Sequence, residues 1–127
     1  MKPLTHEWVE KAEGDFRTAG RELRARQAPN YDAGCFHCQQ SAEKYLKSVL
    51  QEADKRVPKM HNLLELMGLC QAVDSSYEML RADLATLERY AVKFRYPGDF
   101  AEKRDAQSAY QAAKVVRAFV RGKLGMK

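Results

Sequence analysis

The chain has 127 residues, enough for one domain with its own core, and a single domain over 1–127 is expected. Hydrophobic residues make up 45% and charged residues 31%. The 7 Gly and 4 Pro are few breaks for this length, which favours a handful of long elements. No apolar run approaches membrane-spanning length and no early basic-then-apolar leader is visible, so no membrane partner and a cytoplasmic location are expected.

The net charge of +5 is unevenly placed. Residues 101–127 hold seven Lys/Arg against two acids, and the first hundred balance to about zero. A basic end favours anionic partners without choosing among RNA, a nucleotide and an acidic protein.

Five helical stretches follow from the spacing of apolar residues. The first is predicted from about Thr5 to Gln27, with Thr5 as its cap. Trp8, Ala12, Phe16, Ala19 and Leu23 share one face at about 100° per residue. Ala28-Pro29-Asn30 ends it. The second is predicted from about Tyr31 to Ala53, with Cys35, Cys38, Ala42, Tyr45, Leu46, Val49 and Leu50 on one arc. The opposite arc carries His37, Gln40, Ser41, Lys44, Lys47 and Ser48 and reads as a solvated polar ridge. Gln39 falls within the apolar arc and needs buried hydrogen-bond partners. Glu43 and Lys47 form an i,i+4 pair.

Val57-Pro58-Lys59-Met60 connects to a short helix from about His61 to Ala72. Ser75 with Glu78 then makes a capping box for a fourth helix, whose stripe is Tyr77, Leu80, Leu84, Leu87, Ala91 and Phe94. Pro97-Gly98 breaks it, and Asp99 with Glu102 is predicted to cap a fifth helix running to about Gly122. The core face of that helix is rich in alanine, with Lys103, Lys114, Arg117 and Arg121 along one edge. No stretch alternates with period two. The expected fold is all-α, an up-down bundle of four long helices plus one short helix.

Candidate chemistry concentrates at the joint between the fourth and fifth helices. Extending the fourth helix by one residue puts Arg95 at the edge of its apolar stripe, where a guanidinium needs an anionic partner. Arg95 is suited to hold a phosphate bidentately and Tyr96 to stack on a base; the alternative is a brace in which Arg95 pairs with Asp99 or another carboxylate. Lys93 and Lys103 add positive charge, and His37, Gln40 and Lys44 are second-rank candidates for the same groove. Asp99 completes the set. His61 opens the third helix, and an acid–base role for it requires that it lie near Arg95.

Cys35-Phe36-His37-Cys38 has the look of a metal or redox motif. Within a helix, however, both thiols face the core and His37 points the other way. Buried inert thiols, no metal and no cofactor are expected, and three cysteines are too few for a disulfide framework.

These residues resemble the HEPN domain family. The matching pieces are Trp8, Ala12 and Asp15-Phe16; the run Cys35-Phe36-His37-Cys38-Gln39-Gln40-Ser41-Ala42-Glu43-Lys44-Tyr45-Leu46-Lys47; His61-Asn62-Leu63-Leu64; and Tyr90 with Arg95-Tyr96-Pro97-Gly98. The resemblance implies a helical homodimer, often paired with a minimal nucleotidyltransferase as a toxin–antitoxin system. Many members are metal-independent ribonucleases in which four to six residues separate an arginine from the histidine that follows it. Arg95 matches that arginine, but the three positions hold Phe100, Ala101 and Glu102, and no histidine follows His61. The expectation is therefore a non-catalytic domain binding a nucleotide, RNA or a nucleotidyltransferase. The alternatives are a ribonuclease using His61 or His37 and a purely structural homodimeric module.

Overall fold

A computed structural model describes all residues 1–127 and shows five α-helices, one 3₁₀ helix and no strand. The all-α bundle is as expected, while several helix ends differ. Helix α1 (Pro3–Arg24) begins on a proline, whose fixed φ suits a first helical turn. Thr5 is not its cap. It is buried, and its hydroxyl donates to Glu52 Oε1 at 2.9 Å, while the Lys2 N–H donates to the same oxygen at 3.1 Å. These bonds fix the start of α1 against the end of α2 (Tyr31–Glu52), making the pair an antiparallel hairpin. Its connector turns through Ala28 at φ 47°, and Asn30 caps α2 by accepting from the Ala33 N–H at 2.9 Å.

Helix α2 is the centre of the bundle, packed against all four other α-helices. Its polar ridge is therefore only partly solvated. Ser41, Lys47 and Ser48 are buried, because α1 packs along the arc that the sequence left to solvent, and Glu43 is buried beside Lys47. Asn62, not His61, caps α3 (Leu63–Val73), accepting from the Glu65 N–H. Asp74, not Ser75, caps the next segment, which runs as a 3₁₀ helix over Ser75–Leu80 before α4 (Arg81–Lys93). Residue Gly98, at φ 97°, takes a backbone conformation open chiefly to glycine and turns the chain between α4 and α5 (Lys103–Lys123).

The capping box of α5 is Glu102 with Asp105, one turn later than the sequence suggested, and Asp99 stays outside the helix. Asp32, in the first turn of α2, has taken over the stitching of this joint: its Oδ1 accepts from the Ala101 N–H at 2.6 Å. Ala106, Ala109, Ala112 and Ala113 give α5 a small-residue face that lets it sit close against α2. No helix is long and apolar enough to cross a membrane.

A cleft at the α4–α5 joint as candidate functional site

A cleft of about 550 Å³ opens where the first turns of α2, the end of α4 and the connector before α3 converge. That volume suits a small organic ligand. Phe36, Tyr90 and Phe94 line it together with the amides Gln39, Gln40 and Asn62, the imidazole of His61, and Arg95. Tyr90 and Phe94, one helical turn apart, stack at 5.7 Å between ring centroids. Phe36 is half exposed, presenting an open aromatic face.

The charges of this cleft are unequal in availability. Its two carboxylates are already engaged by the backbone: Asp32 by Ala101, and Glu88 by the Leu63 N–H at 2.9 Å. Arg95 has neither an ion pair nor a side-chain hydrogen bond, and it is exposed rather than tucked at the edge of the apolar stripe. The brace to Asp99 is not formed. The reason is local: α4 ends at Lys93 with Phe94 as its cap residue, so Arg95 has left the helix and no longer follows its stripe.

A partly buried polar chain runs from the cleft into the bundle. Gln40 Nε2 donates to Gln39 Oε1 at 2.8 Å, and Gln39 Nε2 donates to the His61 carbonyl at 3.2 Å. Glu43 accepts from Lys47 at 3.1 Å and lies 3.2 Å from His61 Nδ1 through each of its oxygens. Lys47 sits 5.7 Å from the centre of the Trp8 ring on α1. Gln39 thus finds the partners its position demanded.

Of the residues singled out from the sequence, the structure brings Arg95 and Gln40 together in the cleft and adds His61. Lys93 lies over the Phe94 ring at 5.3 Å and does not line the cleft. Tyr96 and Asp99 are exposed on the connector beyond Arg95. Lys103 lies in a separate groove. His37 and Lys44 turn toward α1, where both hold Asp15, His37 Nδ1 at 2.8 Å and Lys44 Nζ at 2.5 Å. The basic edge of α5 is also divided. Arg117 forms a two-pronged pair with Glu13, joined by Arg121 at 3.2 Å.

Sequence reasoning missed Phe36, Tyr90, Gln39 and Asn62 as lining residues. The signal was available for one of them, since Phe36 and Gln40 lie one turn apart on α2 and face the same way.

The thiols are buried and removed from ready ionisation. Burial, with the nearby Asp105 and Asp32, pushes Cys35 up to about 12, and burial alone does the same for Cys70. Cys38 is pushed higher still by burial and by Cys35. No group of three or more His, Cys, Asp or Glu side chains is placed to hold a metal ion.

Among curated proteins, none matches the chain. The crystal structure of TT1696 from Thermus thermophilus superposes with a TM-score of 0.78 at 29% identity, covering 94% of this chain and 97% of that one. The model of the HEPN domain matches residues 5–123, from the first turn of α1 to the last residue of α5. With nearly the whole bundle inside that match, the chain belongs to the HEPN domain family.

Proposed function

We propose that the cleft binds a nucleotide unit, free or at the end of an RNA, with its phosphate on Arg95 and its base among Phe36, Tyr90 and Phe94. The observation that carries this reading is the unpaired Arg95 in a cleft whose carboxylates are both occupied by backbone N–H groups. A guanidinium in that position is free to form the bidentate pair that phosphate geometry favours. Gln40 and Asn62 supply donors and acceptors for a base edge, and stacking supplies sequence-tolerant affinity. Exposed Tyr96 and Phe100 beside the opening suit a second copy of the chain or a nucleotidyltransferase closing over it, as in a toxin–antitoxin pair. Titration calorimetry with ATP, AMP and short RNAs tests the reading. Wild type should bind, and Arg95→Ala should lose at least about tenfold in affinity. A wild type that binds none of these ligands removes the nucleotide reading.

A second reading draws on His61. Glu43 holds its Nδ1, which leaves Nε2 without a protein partner in the cleft that Arg95 lines. An anchored imidazole and an arginine lining one cleft are the minimum for proton transfer and charge stabilisation during RNA cleavage by its own 2′-hydroxyl. Incubation with RNA in chelator decides: cleavage lost in both His61→Ala and Arg95→Ala supports an enzyme, and intact RNA with wild type removes it.

A further inference from the structure

A second groove lies beside the cleft, on the far side of the first turn of α2. It encloses about 650 Å³ between the end of α1, the α1–α2 connector and the start of α5. Arg24, Arg26 and Lys103 line it, with Tyr31, Pro29 and Gln107, and no carboxylate does. None of the three cations forms an ion pair or a side-chain hydrogen bond within the chain.

The acids that could have neutralised them are engaged elsewhere. Glu22 accepts from the Asn30 N–H at 2.9 Å, Asp105 from the Glu102 N–H at 2.8 Å, and Glu102 holds Arg104 at 3.0 Å. Arg24 is seated rather than adrift. Its guanidinium lies over Gly20, with Nη1 2.9 Å from the position a Cβ would occupy, so the glycine leaves it room against α1.

The two openings share a boundary. Tyr31 lines the groove and Asp32, its neighbour, lines the cleft and grips the connector at Ala101. The connector leaves the cleft at Arg95 and reaches the groove at Lys103. Three uncompensated cations with one half-buried aromatic ring form a surface for successive phosphates and a base, not for one compact anion.

We propose that Arg24, Arg26 and Lys103 form a phosphodiester subsite that holds the backbone of a single strand whose terminal nucleotide occupies the cleft. This rests on the nucleotide reading of the cleft and narrows it: the ligand is an oligonucleotide, and a mononucleotide fills only part of the site.

The test compares AMP with single-stranded oligoadenylates of two to eight nucleotides, by fluorescence anisotropy and competition at several salt concentrations. Affinity should rise at least tenfold between one and about four nucleotides. Three phosphate contacts at roughly 0.7 each in the log–log salt slope predict that the triple variant Arg24→Gln/Arg26→Gln/Lys103→Gln loses about two from that slope, with AMP affinity unchanged. Single variants Arg26→Gln and Lys103→Gln should each lose about 0.7 and serve if the triple variant folds poorly. Gly20→Ala keeps the charge but displaces Arg24, and should weaken only the longer strands.

Unchanged oligonucleotide affinity and slope in these variants, with AMP binding still lost in Arg95→Ala, overturns the subsite and leaves the cleft reading standing. Absence of any binding by wild type overturns both. A polyglutamate peptide that competes as well as the oligonucleotide overturns the nucleic-acid assignment.

Discussion

His61 Nδ1 stands 3.2 Å from both carboxylate oxygens of Glu43, a side chain that is otherwise sealed in the bundle against Lys47. The imidazole itself is largely exposed, 77% by side-chain area against 4% for the carboxylate. One residue therefore ties an exposed side chain of the cleft to the buried interior of the bundle. Truncating Glu43 leaves the Lys47 ammonium buried without its partner. Glu43→Ala should destabilise the fold by about 3–5 kcal/mol, read from the urea midpoint. The double variant Glu43→Leu/Lys47→Met should recover much of that loss, since removing both charges leaves neither unpaired.

Arg95 predicts the opposite pattern. It is exposed and unpaired, so Arg95→Ala should shift unfolding free energy by no more than about 0.5 kcal/mol. Nucleotide affinity should nonetheless fall at least about tenfold. A large stability loss with unchanged affinity would return Arg95 to the role of a structural brace.

Glu13 sets an acid limit on the bundle. Burial alone would raise its pKa. The hydrogen bonds from Arg117 and Tyr45 and the charges of Arg117 and Arg121 outweigh burial and hold it below the ordinary value of 4.5. A carboxylate depressed in the folded state stabilises above its unfolded pKa, and the gain disappears as pH falls through the folded one. The melting temperature should therefore drop as pH goes from about 5 toward 3. Glu13→Gln should be less stable at pH 7 and show a shallower acid slope. Equal slopes in the two proteins would assign the acid sensitivity to other carboxylates.

With Cys35 and Cys70 raised to about 12, the native protein holds almost no thiolate at pH 8. Iodoacetamide should leave all three cysteines unlabelled under native conditions and label all three in urea, as read by intact mass. Rapid native labelling at Cys35 or Cys38 would reopen a redox role for that helix.

Helix number and order were legible in the sequence because apolar spacing reports a core-facing stripe directly. The caps were less so: Asp99 and Glu102 both satisfy the local pattern, and Asp32, 69 residues before Ala101, decides where α5 starts. The ridge on α2 misled for a related reason. Lys44 and His37 look solvated until Asp15 of α1 reaches them, and a sequence cannot show a partner brought in by a hairpin. Arg95 was identifiable from its place beside Pro97. Its neighbours Gln39 and Asn62 were not, because they come from α2 and from another connector, and for His61 the sequence offered the residue but not its closeness to Arg95.

The contact between Lys47 and Trp8 gives the molecule an optical readout of its own. Trp8 is the single tryptophan, and the ammonium over its ring belongs to the ion pair that also holds His61. An occupant of the cleft that draws on His61 or Gln39 should shift Glu43, which both touch, and with it the cation above the indole. Its arrival should be visible as a change in intrinsic emission, on α1 and outside the cleft, with no dye attached.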